Sequence, residues 1–361
     1  MFPHEIPRAW GAPVAEFRIR STPDDFHVFE IPVTLPQGEG NHVWLQIEKR
    51  QLNTDEVARL IAKHADVPPR EVSYAGLKDR DAVTQQWFSV NLQGKAHPDW
   101  SALNGERLHV LQALAHPRKL KRGALTGNRF VLVLRDVAGN RAAIEQRLQQ
   151  LQQGGVPNAF GAQRFGRNGS NVARAREVVI GGRRERDRHR LGLMFSTARS
   201  WVFNALLAAR IEDKSWNQAR PGEVLQLDGR SAVFVAEAID AEIQRRMDAL
   251  EVHPTAPMIG DGSSLAQAEA LLWETQQLEP QQEWIVALSR ARVEQDRRAL
   301  RIALPDLRWQ WLEDAVLQLE FSLPSGSDAA AVLHELGTAA ESDATLEQDV
   351  ERTGPAVAGQ G

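Results

Sequence analysis

The stretch "DAVLQLEFSLP", residues 314–324, decides how the chain is divided. It reads as a strand, with Leu317, Leu319, Phe321 and Leu323 alternating with other residues. The residues before it read differently: 192–211, 238–250, 263–278 and 282–302 are helical in pattern, relieved only by the short strands "EVLQL" and "AVFVA". The strand matches instead the first part of the chain. There "FHVFEIPV" (26–33) and "HVWLQIEK" (42–49) are rich in β-branched and aromatic residues, and "LPQGEGN" between them supplies a turn. The chain is therefore expected to return late to a sheet that it began early. Residues 1–153 and 301–338 would form one discontinuous sheet domain, with 154–300 inserted into it.

Within the first part, "NTDEVARLIAKHA" (53–65) predicts a helix. Asn53 caps it, Glu56 completes a capping box, and Val57, Leu60, Ile61 and His64 share one face. Further strands follow at "QWFSVNL", "RLHVLQAL" and "RFVLVLRDV", then a helix at 142–153. Strands joined by short turns as well as by helices imply an α+β fold with a mixed, largely antiparallel sheet. The segment 339–361 has few apolar residues and is expected to be a disordered acidic tail.

Composition excludes more than it identifies. The 361 residues contain no cysteine, which rules out disulfides, thiolate nucleophiles and Cys-ligated zinc and fits a reducing compartment. The N-terminal "MFPHEIPRAWGAPVAEF" lacks the pattern of a signal peptide, and no apolar run approaches the ~18 residues of a membrane span. A cytoplasmic, monomeric protein is the default expectation. The formal net charge is −4, and the tail from Ala339 carries all of it through five acids and Arg352. The body is thus neutral overall, with its cations gathered in "HPRKLKRG" (116–123), "GGRRERDRHR" (181–190) and, more weakly, "RRALR" (297–301). Each cluster alone reads as a solvated surface; together they lean towards polyanion binding.

Familiar cofactor motifs are missing. "AGLKDR" lacks the Ser or Thr of a P-loop, "GEGNHV" and "GDGSS" are not dinucleotide fingerprints, and G-x-S-x-G is absent. The ten histidines show no metal spacing, and His42 and His253 read as structural. Neither metal nor organic cofactor is expected. What remains is carboxylate chemistry, basic clusters, aromatics and glycine-rich loops.

One stretch concentrates that chemistry. "YAGLKDRDAVTQQW" (74–87) places Lys78, Asp79, Arg80 and Asp81 beside the turn at Gly76. It resembles the signature G-x-K-D-x-x-A-x-T-x-Q-W of the TruD family of tRNA pseudouridine synthases. Other stretches are similar to that family's motifs in the same order: "PDDFHVFE", "GEGNHVWLQIEKRQLNT", "RGALTGNRFVLVLR", "GVPNAFGAQRFGRNGSN", "STARSWVFN", "HPTAPMIG" and "LEFSLPSGSDAAAVLHEL". The resemblance runs from about residue 15 to 337. It implies a pseudouridine synthase-type sheet flanked by helices, carrying an inserted, mainly helical α/β domain peculiar to the family. It also implies that a uridine of tRNA, position 13 in the family, becomes its C-glycoside isomer.

That reaction breaks the bond from ribose C1′ to uracil N1, turns the base and joins C1′ to C5. No atoms are gained or lost, in keeping with the absence of a cofactor motif. The resemblance makes Asp79 the nucleophile, attacking either C1′ or C6 of the base. Lys78 and Arg80 are assigned ion pairing or phosphate contact, and Asp81 a surface charge. Phe26 matches a substrate-contacting Phe of the family. Asn128 matches the Asn of Gly-Asn-x-Phe, and its amide can donate to and accept from a uracil edge. Phe130 either stacks on the substrate or belongs to the core. Arg20 falls where the family often has Lys, and could hold a carboxylate ionised or bind phosphate.

Three positions depart from the family pattern: Ala159 replaces a Tyr, Asp328 an aromatic substrate contact, and Ala330 a Thr. They motivate a second reading, an RNA-binding protein or tRNA folding helper with weak or lost catalysis.

Overall fold

The computed structural model describes residues 6–341. The predicted tail lies outside the described residues except for 339–341, which belong to a strand. The chain packs as two compact units, each assembled from separated segments.

The sheet unit takes Ala15–Arg141, Asp306–Gly326 and the described part of Gly337–Gly361. Its ten strands are β1 (Ala15–Ile19), β2 (Phe26–Pro32), β3 (His42–Arg50), β4 (Val72–Tyr74), β5 (Val83–Asn91), β6 (Leu108–His116), β7 (Leu125–Gly139), β8 (Arg308–Glu313), β9 (Val316–Pro324) and β10 (Gly337–Glu341). The main path runs β8-β9-β7-β2-β5-β3-β6, with β4 beside β5 and β1 between β7 and β10. Only β2–β5 and β1–β10 are parallel. The late strand 316–324 does return to the early sheet. It pairs with β7 from Leu317↔Leu134 to Pro324↔Gly127, and buries Leu317, Leu319, Phe321 and Leu323.

Helix α1 (Thr54–His64) begins at the predicted capping box, where Asn53 N donates to Glu56 Oε2 at 2.7 Å. Val57 and Ile61 pack against Leu45, Ile47, Phe88 and Val90, covering one end of one sheet face. Leu60, expected on that face, is exposed; the buried stripe is completed by Ala58, Ala62 and Ala65.

The second unit takes the described part of Met1–Val14, Ala142–Pro305 and Ser327–Leu336. Its limits lie further out than 154 and 300, for a physical reason. The helix Arg141–Gly154 carries Arg147, whose guanidinium donates to Glu335 O at 2.6 Å, and the Trp10 indole donates to Gly155 O at 3.0 Å. These contacts gather both chain ends around the inserted segment. A long helix, Arg188–Glu212, runs through this unit, beside a four-stranded sheet. The predicted helix 282–302 stops at Arg290. Arg292 adopts a left-handed φ of 54°, and Asp296–Ala299 turns into a strand paired with Val252–Met258. Burial explains the switch: Arg297 is pinned by Glu274 and by the Thr255 hydroxyl, contacts that a continued helix would forfeit.

No helix among the described residues is long and apolar enough to cross a membrane.

At Gly127 the β7–β9 pairing is so close that a Cβ would sit 2.2 Å from Leu323 O. Gly127→Ala is therefore expected to lower the urea-unfolding free energy by about 1–3 kcal/mol through overpacking. Gly105→Ala, which meets open space, should stay within about 0.5 kcal/mol of wild type.

Candidate active site

Asp79 sits in the loop between β4 and β5, and that loop is held by its main chain. At its start, Ala75 O accepts from Gly123 N at 2.8 Å. Gly76 O accepts from the Gln86 amide at 3.2 Å. The Thr54 hydroxyl, at the first turn of α1, accepts from Lys78 N at 3.0 Å and donates to Gln86 Oε1 at 2.9 Å. Finally Asp79 O accepts from Lys49 Nζ at 2.7 Å. Ala82, where the loop enters β5, is fully buried.

Two buried cations lie under this loop. Cross-strand register puts Phe321, Phe130, Val28, Thr84 and Lys49 in one row on one sheet face, and Leu323, Asn128 and Glu30 in the next. Lys49 is 0% exposed, and burial brings its ammonium down to about 8, with the Asp79 charge pulling the other way. Lys78 turns inward and pairs with Glu30 at 2.6 Å, both side chains nearly inaccessible. The second Glu30 oxygen accepts from Trp87 N at 3.1 Å. The expected ion pairing of Lys78 is thus a buried structural one. Arg80 and Asp81 are exposed.

The Asp79 carboxylate points away from these anchors. Its side chain is 45% exposed, and accepts from Arg20 Nη2 at 2.9 Å. Arg20 is itself constrained: it holds a left-handed φ of 56°, and its guanidinium lies 4.2 Å over the Phe26 ring. Phe26 meets Phe130 edge to face at 6.3 Å, and Phe130 stacks on Phe321 at 5.5 Å. Asp79, Arg20, Phe26 and Phe130 therefore form one contact chain. Both rings are buried, Phe26 at 5% and Phe130 at 7% exposure. Asn128 lies opposite Glu30, and its side-chain oxygen is buried with no protein partner among the described residues. An orphan acceptor of this kind costs about 1–3 kcal/mol unless something donates to it.

Sequence reading passed over Lys49, Glu30, Thr54 and Gln86. A signal was present for the first two. In "HVWLQIEK" the inward positions are Val43, Leu45, Ile47 and then Lys49, and in "FHVFE" they are Phe26, Val28 and then Glu30. A charge at the buried phase of an alternating strand is seldom accidental. Thr54 and Gln86 gave no comparable sign.

The departures from the family pattern belong to the other unit. Asp328 precedes the helix Ala329–Leu336 and accepts from Ala330 N at 3.0 Å, as an N-cap does. Its carboxylate also packs on Gly161, where a Cβ would come within 2.2 Å of Oδ2. Ala159 packs against the cluster of Phe203 and Leu206. His253 is structural in this unit: it is buried and bonded to Asp228 at 2.8 Å.

The model of the family tRNA pseudouridine synthase D (TruD) matches residues 8–186 and 187–336. The chain is 46% identical over 332 residues to the tRNA pseudouridine synthase D of Methylococcus capsulatus, covering 92% of this chain and 94% of that protein. It is 44% identical over 348 residues to the protein of the same name in Xanthomonas euvesicatoria, covering 92% and 94%. A TruD crystal structure from Methanosarcina mazei superimposes with a TM-score of 0.66 at 21% identity, covering 93% of this chain and 95% of that one.

The Lys49 environment has a measurable consequence. In the folded protein the ammonium gives up its proton near 8, whereas the unfolded chain keeps it to 10.5. Between those values the unfolded state binds more protons, so stability rises with pH across that window and is flat for this group on either side. Urea unfolding from pH 7 to 11 should show that rise in wild type, and a smaller one in Lys49→Met.

Proposed function

The chain belongs to the TruD family of tRNA pseudouridine synthases, and from that membership we propose that it isomerises uridine-13 of tRNA to pseudouridine with Asp79 as the nucleophile. The observation that carries this reading is the asymmetry at Asp79. Its backbone is clamped from below by Lys49, while its carboxylate is exposed and bonded to a single cation, Arg20. A carboxylate so placed is ready to add to an incoming electrophile. The bond from Arg20 directs it.

The sheet unit is the catalytic one in this reading. The target nucleotide leaves the tRNA stack to reach Asp79. Phe26 supports the Arg20 guanidinium and offers the aromatic edge of the pocket. The Asn128 amide can both donate to and accept from a uracil edge. Phe130 fills the floor behind Phe26. Asp79 then forms a covalent bond to C1′ or to C6, the glycosidic bond breaks, the base turns, C5 joins C1′ and the bond to Asp79 is broken, freeing its carboxylate. Loss of the C5 proton completes the isomerisation. No group is transferred to or from the RNA. The remaining sequence-based expectations, a monomer that needs no cofactor, are compatible with this scheme.

The alternative, an RNA-binding helper, rests on Asp328, Ala159 and Ala330. The N-cap geometry of Asp328 gives that residue a structural reason of its own.

Tritium release from tRNA transcribed with C5-labelled uridine tests the proposal. Wild type is expected to release tritium, and Asp79→Asn to lose at least about 1,000-fold in rate, as removal of a covalent nucleophile does. Mapping the product should place pseudouridine at position 13. If both proteins bind tRNA and neither releases tritium, the helper reading replaces this one.

A further inference from the structure

The basic stretch "HPRKLKRG" was not absorbed by the chemistry at Asp79. It forms the connection between β6 and β7, and its backbone is fastened to several elements. The Trp44 indole donates to Arg118 O at 2.9 Å, the Ser73 hydroxyl to Leu120 O at 2.8 Å, and Leu120 N to Ser89 Oγ at 2.9 Å. Leu120 is 1% exposed, buried among Trp44, Ala75, Trp87 and Leu125. The bond from Gly123 N to Ala75 O then ties the connection to the start of the Asp79 loop.

The side chains are less tied, with Lys119 Nζ donating to Arg70 O at 3.1 Å. Arg118, Lys119, Lys121 and Arg122 are all exposed. Among the described residues no carboxylate lies within ion-pair distance of any of them. Some exposed cations elsewhere are paired: Lys95 with Asp66, Arg129 with Glu320, Arg183 with Glu177, and Arg245 with Glu242 and Glu251. Arg122 is oriented by Tyr74, whose hydroxyl in turn donates to the Asp55 carboxylate. It lies 4.2 Å over the Tyr74 ring and donates to the Tyr74 hydroxyl at 2.9 Å. Four like charges within five residues, on a backbone that cannot relax away, repel one another until an anion arrives.

We infer that this connection, Arg118 to Arg122, is a preformed contact for the phosphate backbone of the RNA beside the target uridine. The placement follows from chain geometry. Asp79 is four residues beyond Ala75, so at most ~14 Å of extended chain separates it from the bond that holds Gly123. A polyanion that delivers a nucleotide to Asp79 passes within reach of these cations. Phosphate contacts of this kind set register and affinity rather than base choice. The inference rests on the tRNA reading above and names the surface through which it operates.

The test is the salt dependence of tRNA binding, paired with tritium release. The variant is Arg118→Ala with Lys119→Ala and Lys121→Ala; Arg122 is left because it packs on Tyr74. Each lost phosphate contact should flatten the slope of log K against log[salt] by ~0.7–0.9, so about 2–3 in all, with tRNA affinity at least ~10-fold weaker near 0.1 M salt. The corresponding Gln substitutions, which keep more of the side chain and a polar end, should behave alike, and thermal midpoints should match wild type. Lys95→Ala, which removes a carboxylate-paired cation, should leave the slope unchanged. If wild type releases tritium and the triple variant keeps the wild-type slope, this inference falls and the function stands. If wild type releases none but the variant loses salt-dependent binding, the inference stands and the function falls. If wild type neither binds tRNA nor releases tritium, both fall.

Discussion

The bond from Lys49 Nζ to the carbonyl oxygen of Asp79 is the interaction around which the sheet unit is arranged. A fully buried ammonium is costly unless its donors are satisfied, and the backbone carbonyl supplies an acceptor without adding a second buried charge. That requirement fixes where the loop can lie. The neighbouring Lys78–Glu30 pair does the same from the other side, with Glu30 also receiving a main-chain N–H from β5. The loop, the first turn of α1 and three central strands are thereby committed to one geometry.

The consequence for the carboxylate is a separation of duties. Residues that hold the backbone of Asp79 are buried and make no contact with its side chain. The residue that holds its side chain, Arg20, comes from the segment between β1 and β2 and is braced by an aromatic ring. Backbone position and side-chain direction are thus set by different parts of the sheet. Preorganisation of this sort spares the reaction the cost of ordering the site during turnover.

Much of this was legible beforehand, and unevenly so. The late strand was readable because Leu317, Leu319, Phe321 and Leu323 alternate in phase. Helix α1 was readable from Asn53 and Glu56, since capping is a local matter. The helix predicted for 282–302 ran too far because the end of a helix depends on partners: Arg297 finds Glu274 and Thr255, which its own neighbourhood does not reveal. The compact units are bounded elsewhere than the expected 154 and 300 for the same reason, through contacts such as Arg147 with Glu335. At the site, Asp79 came from family resemblance rather than from any local pattern. Lys49 and Glu30 were visible as charges at buried strand phases, but a phase cannot say which loop they hold.

The single bond between Asp79 and Arg20 also bears on tempo. Because the backbone is fixed, the carboxylate can leave Arg20 by turning about its own side-chain torsions, and such rotations in exposed residues take picoseconds to nanoseconds. No loop has to open or close for that carboxylate to move. In the proposed reaction the larger movement would then fall to the RNA, a nucleotide unstacking and swinging outward, with the protein as a fixed anvil against which that motion ends.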